Sequence, residues 1–243
     1  MSEIPPQEEQ DERVPKMGIV SRVIGIFLYP GRVFESVRDN PTILGPMLIL
    51  MIVSAAVVPI VTPMNADMVE SQIRAINPEA TQEQIDQAKA QSGSDANMIA
   101  GAIAAVVMVP LMMAFFAALY WGIYTVLMGK GAPYKSAMAI VTHSQLVTIA
   151  GTVAIISLSV FQNELVLSLH LGSLVPFLES DNLIFRILKS IDVFTGWWIF
   201  LLSIGFAALY RTTPRQAATV PFTLWTLWIV VKVAFFGKYL PFL

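Results

Sequence analysis

Five stretches of this chain run for about 18 to 31 residues with scarcely a charged side chain, and that pattern dictates the solvent. At about 1.5 Å of rise per helical residue, such a run crosses a hydrocarbon core roughly 30 Å thick. A soluble helix needs polar residues every few positions to keep one face wet, and whole stretches here have none. Only 13% of residues are charged and 56% are hydrophobic, where soluble domains run nearer a quarter charged. The fold expected is an all-α integral membrane protein, with five transmembrane helices preceded by short amphipathic interfacial helices. The spans fall at about 41–62, 98–128, 136–161, 193–210 and 217–236, and together make one membrane domain over 41–236.

The flanks read differently. Residues 1–15, MSEIPPQEEQDERVP, are polar, acidic and Pro-containing, without the basic start and apolar core of a signal peptide. They are expected to be a disordered cytoplasmic tail. In 16–40 two short stripes repeat at helical spacing, Val20, Val23, Ile24 and Phe27, then Val33, Phe34 and Val37, separated by Pro30. Neither is long enough to span. They are expected to lie at the interface with Lys16, Arg22, Arg32 and Arg38 toward headgroups.

Asn40 and Pro41 read as the cap and first turn of the first span, with Gly45 and Pro46 following. Residues 63–97 form a polar loop in which Thr81 and Gln84 make a candidate capping box. The second span is about 31 residues, roughly 46 Å if helical, so it must tilt or project. Tyr120, Trp121 and Tyr124 suit an aromatic belt. Residues 162–192 are mixed and are read as re-entrant or interfacial, and 237–243 as an outer C-terminal end.

Short loops decide orientation. GKGAPYK and RTTPRQ are both basic without an acid, whereas 63–97 holds six acids against two bases. An N-terminus in the cytoplasm and a C-terminus outside follow.

The strongest polar anomaly is in the third span. Gln145, Thr148 and Thr152 share a helix face, with His143 and Ser144 just before them. Polar groups in hydrocarbon need partners, so this face should point into the bundle or a wet cavity. Interhelical bonding, or bonding to carbonyls of the same helix, is the plain reading; a substrate or ion path is the sharper one. Gly101 with Ala105, and Gly196, Ser203 and Ala207, are small residues at helix-packing intervals.

Other chemistries lack their residues. There is no cysteine, and the two histidines, His143 and His170, lie in different segments with no acid at ligand spacing. Catalytic and nucleotide-binding motifs are missing, so no cofactor and no enzyme activity are expected. A net charge of −2 gives nothing for nucleic acid. The partners expected are the lipid bilayer, other membrane proteins or further copies of the chain, and a cytoplasmic protein docking at 16–40.

Three segments together carry a resemblance: YPGRVFESVRDNPTILGPMLI, GKGAPYKSAMAIVTHSQL and DVFTGWWIFLLSIGFAALYRTTPRQAA. In order and spacing they resemble the Yip family of Ypt/Rab-interacting membrane proteins, and its prokaryotic members in particular, over roughly 24–236. The resemblance implies a cytosolic N-terminal tail, five spans, a C-terminus on the far side and, for a prokaryotic member, the cytoplasmic membrane. Eukaryotic members act in vesicle traffic with Rab GTPases, and some prokaryotic ones serve beside export machinery. This chain departs at Thr142-His143-Ser144-Gln145, where many relatives have a Tyr and a Pro, and at Thr42-Ile43-Leu44, where only the following Gly-Pro is kept. The Rab role is therefore not carried over. The function expected is a scaffold or accessory subunit for membrane organisation, trafficking or export, with a small transporter or channel as the alternative.

Overall fold

Inside a bilayer every peptide group must be satisfied within its own segment, so uninterrupted apolar runs become helices. The computed structural model describes residues 17–62, 64, 66–129, 131–162, 169–179 and 182–236; the tail at 1–15 and the end at 237–243 lie outside them. In chain order the helices are α1 (Ile19–Leu28), α2 (Pro30–Asp39), α3 (Leu44–Val61), α4 (Ala66–Ile76) and α5 (Gln82–Ser92). Next come α6 (Asp95–Met128), α7 (Tyr134–Gln145) and α8 (Val147–Gln162). The chain closes with α9 (Leu183–Lys189), α10 (Val193–Tyr210) and α11 (Pro214–Val231).

Among the described residues five helices are long and apolar enough to cross a membrane: α3, α6, α7 with α8 as one span, α10, and α11 continued to Ala234. The chain is thus an all-α, multi-pass membrane protein. Its outer surface is apolar, with Leu44, Ile52, Ile103, Leu111 and Phe200 all exposed, which is how a surface solvated by acyl chains should look. Inside, Tyr120, Tyr124, Phe206 and Tyr210 form a run of ring contacts between α6 and α10, and Tyr124 stacks on Phe206 at 4.4 Å. The Tyr124 hydroxyl also donates to the carbonyl of Ala217, tying α6 to α11.

The α1–α2 pair is an integral part of this core. Ile26, Val33, Phe34 and Val37 are fully buried. Gly25 sits where a Cβ would come within 2.7 Å of Val33 and 2.8 Å of Tyr29, so only glycine lets the two helices fold back this closely. Phe27 at the tip meets Trp197 edge-on at 5.5 Å, four residues into α10, while Phe34 packs at Gly205 of the same helix. The hairpin therefore descends along α10 and returns. Its first stripe is divided: Val20 and Ile24 are 68% and 51% exposed, Val23 and Phe27 pack against the core, and Arg22 is 2% exposed. Apolar residues turn outward where the surroundings are lipid, and Arg22, expected among headgroups, turns inward.

Helix ends follow local chemistry. α6 begins on a Ser94 cap, whose hydroxyl accepts from the Asn97 N–H at 3.3 Å, and ends at Gly129 with φ +60°, a conformation glycine adopts without strain. Thr81 and Gln84 form the expected capping box at the start of α5. Asn40 does not open the first span: it terminates α2, and α3 starts at Leu44 with Pro46 in its first turn. Within the mixed region, residues 169–179 include a 3-10 turn at Leu171–Leu174, and α9 follows; 163–168 and 180–181 lie outside the described residues.

A polar break in the third span

The third span is not one continuous helix. At Leu146 the backbone tightens, with the Leu146 N–H donating to the His143 carbonyl at 3.1 Å and the Ile149 N–H to the Leu146 carbonyl at 3.2 Å. These are three-residue closures, and such a stretch inside a helix marks strain or a hinge. It coincides with the polar cluster. Irregular backbone at membrane depth is tolerated only where protein buries it or a cavity adjoins it, and both hold here.

The polar residues divide between two sides of the span. Thr142, His143 and Ser144 are fully buried in the core. The Thr142 hydroxyl donates to the Met138 carbonyl at 2.7 Å, and His143 Nδ1 lies 2.7 Å from the Ala139 carbonyl. Among the described residues, His143 Nε2 and the Ser144 hydroxyl have no hydrogen-bond partner. On the other side Gln145 and Thr148 line a cleft of about 350 Å³ with Leu50 and Ser54 of α3 and with Ala105, Met108 and Met112 of α6. The Thr148 hydroxyl donates to the Gln145 carbonyl at 2.8 Å, and the Thr152 hydroxyl to that of Thr148 at 2.9 Å. The side chains of Gln145 and Ser54 make no hydrogen bond among the described residues.

Beside His143 lies Arg22, whose charge acts on the imidazole. Its guanidinium donates to the Thr42 hydroxyl at 2.7 Å, to the carbonyls of Ser36 and Asn40 at 3.1 Å each, and to the Ser36 hydroxyl at 3.0 Å. No carboxylate pairs with it among the described residues. The charge is met by the carbonyl end of α2, where a helix dipole favours a cation. The sequence offered one hint, a lone basic residue inside IVSRVIGIFL.

The small residues sort by contact. A Cβ on Gly101 would lie 3.2 Å from Val58, so α3 and α6 do approach there, and Ala105 lines the cleft. Ser203 and Ala207 are buried, and the Ser203 hydroxyl donates to the Ile199 carbonyl. Gly196 has nothing within 4 Å. Besides Gly25, tight approaches occur at Gly205, where a Cβ would meet Ile140 at 2.5 Å, and at Gly151, where one would lie 2.8 Å from Phe194; sequence spacing missed both. Pro41 is half-buried in the link between α2 and α3 and, like Gly45, where a Cβ would lie 3.0 Å from Ile19, belongs to the hairpin's junction with the first span.

Among the described residues no group of three His, Cys, Asp or Glu side chains could hold a metal ion, and with no cysteine anywhere the chain carries no thiol nucleophile. The fold defines a multi-pass helical membrane protein, with five spans among the described residues. The Yip1 domain matches residues 24–235, so the chain belongs to the Yip1 domain family. It is also similar to a Bacillus subtilis (strain 168) protein described as membrane protein YknW, 25% identical over 188 residues, covering 75% of this chain and 76% of that one. No solved structure matches it.

Proposed function

We propose that the chain is a non-enzymatic scaffold or accessory subunit that binds another membrane protein, or a second copy, laterally at the cleft between α3, α6 and α8. The observation that carries this reading is the pair of unpartnered side chains, Gln145 and Ser54, lining one cleft. Gln145 is the last of the 12 residues of α7, about 17 Å into a 29-residue span, and so near mid-bilayer. An amide left in hydrocarbon costs free energy. A helix presenting a polar side chain satisfies it, for about 0.6–2 kcal/mol per contact. Met108 and Met112 supply walls that adapt to a partner's shape, and Ala105 lets its backbone come close. Membership of the family supports a place in membrane organisation, trafficking or export.

Because the chain lacks cysteine, single cysteines can be placed at will. Met108→Cys and Met112→Cys, treated with a bifunctional maleimide in native membranes, should give a specific adduct, and Leu127→Cys should not. Monomer alone from every variant counts against the reading.

A transporter using the same polar face stands second. The cleft at Gln145 and Thr148 favours it, but His143 and Ser144 lie on the opposite, sealed side. Loss of flux in both His143→Ala and Gln145→Leu would bring it forward. The N-in, C-out orientation in a cytoplasmic membrane is supported by the basic turns at 129–135 and 211–216 and the acidic α4–α5 region at the other end.

A further inference from the structure

At the end of the bundle where α11 finishes, a cleft of about 830 Å³ separates α9 from the last turns of that helix. Leu183, Ile187, Ile229, Val230 and Val233 make its walls, with Thr226 below and Arg186 at the rim. The Arg186 guanidinium donates to the Val233 carbonyl. That carbonyl lies in the π-helical turn Lys232–Phe236, where the regular ladder is lost.

The cleft sits across the boundary between oil and water. Lys232 is 18 residues beyond Pro214, about 27 Å along the helix, close to the full depth of a hydrocarbon core. The wall from Thr226 to Val230 thus faces acyl chains, and Lys232 reaches headgroup level. Lys189 lies close enough for its charge to act on Lys232, and both act on His170. Arg186, Lys189 and Lys232 have no ion-pair partner among the described residues. Asp192, the carboxylate acting on His170, is committed to backbone: one oxygen accepts from the Thr195 N–H at 2.9 Å and the other from the Leu169 N–H at 3.1 Å. Glu179 is exposed on the loop before α9.

We propose that this cleft holds one anionic phospholipid, with an acyl chain along Thr226, Val230 and Val233 and the phosphate among Arg186, Lys189 and Lys232. An apolar groove that ends in three cations at the membrane boundary matches the two halves of such a molecule. A zwitterionic lipid leaves the cations uncompensated, and a partner helix supplies no phosphate.

The test is native mass spectrometry and thermal melting of the full chain in detergent, with phosphatidylglycerol, phosphatidylcholine or inorganic phosphate added. Phosphatidylglycerol should be retained and should raise the melting temperature more than the other two. Lys189→Gln with Lys232→Gln should weaken it roughly fivefold per cation removed, while leaving the bond from Arg186 to Val233 in place. Val230→Trp, which fills the groove, should abolish retention at an unchanged melting temperature in detergent alone. Equal retention of both lipids, phosphate matching phosphatidylglycerol, or an unchanged preference in the double lysine variant would each overturn the assignment.

Discussion

The Arg22 guanidinium holds both the carbonyl and the hydroxyl of Ser36, at 3.1 and 3.0 Å, across a hairpin whose two helices have no other buried charge between them. One side chain on α1 thereby closes the carbonyl end of α2 and reaches on to Thr42 ahead of α3. Removing it strands the two buried acceptors of Ser36 and the part-buried carbonyl of Asn40. Arg22→Met should destabilise the protein by about 3 kcal/mol in detergent unfolding, and Arg22→Lys should recover only part, since an ammonium cannot reproduce the planar fork. Full stability in Arg22→Met would show that the hairpin stands on its apolar contacts alone.

Two glycines of α10 should respond in opposite directions. Gly205→Ala pushes a methyl into Ile140 and Phe34 and is expected to cost about 1–3 kcal/mol. Gly196→Ala meets nothing and should be neutral or stabilise by up to about 1 kcal/mol through helix propensity. Chemical unfolding of both variants side by side decides it.

Gln145→Leu should leave the monomer as stable as before, because the side chain makes no bond to lose within the described chain. The cross-linked adduct obtained at Met108→Cys should disappear in the same background. An adduct that persists removes Gln145 from the contact.

The α4–α5 hairpin should loosen in acid. Glu70 accepts from Lys89 at 2.6 Å and from Arg74 at 3.0 Å, and these bonds, the one from Lys89 first, hold its carboxyl below the usual range. A depressed carboxylate contributes stability above its unfolded value, about 4.3, and loses it as pH falls through the lower folded value. Amide protection in α4 and α5, taken relative to the intrinsic exchange rate at each pH, should be lower at pH 3 than at pH 6, and Glu70→Gln should flatten the difference. High salt should narrow it too.

Orientation is open to the same cysteine-free background. An impermeant maleimide added to intact cells should label Gln91→Cys, in the last turn of α5, and spare Gly131→Cys, in the turn before α7. The reverse pattern would invert the topology.

What could be read in the sequence was what depends on near neighbours or on solvent. The five apolar runs name their surroundings, and Thr81 with Gln84 names a helix start because both partners are three residues apart. Arg22 could not be placed that way, since its acceptors arrive from a second helix and the segment beyond it. Asn40 and Pro41 look like a helix start, but the carbonyl of Asn40 serves Arg22 and α2 ends there instead. Spacing put Gln145, Thr148 and Thr152 on one face; the first two line the cleft, while the Thr152 hydroxyl bonds back to the Thr148 carbonyl. His143 and Gln145 both lie within α7, about 200° apart around the helix, so periodicity already sends His143 to the far side; what it does not encode is the break at Leu146.

The length of α6 has one more consequence. Thirty-four residues make a rod of about 51 Å, some 20 Å more than the oily slab it crosses. A helix that long either tilts or carries its excess past the interface, and the acidic pair of helices is joined directly to its start. Ala105 and Met108, which line the cleft, stand on that same helix, so a change in its tilt moves one wall of the cleft.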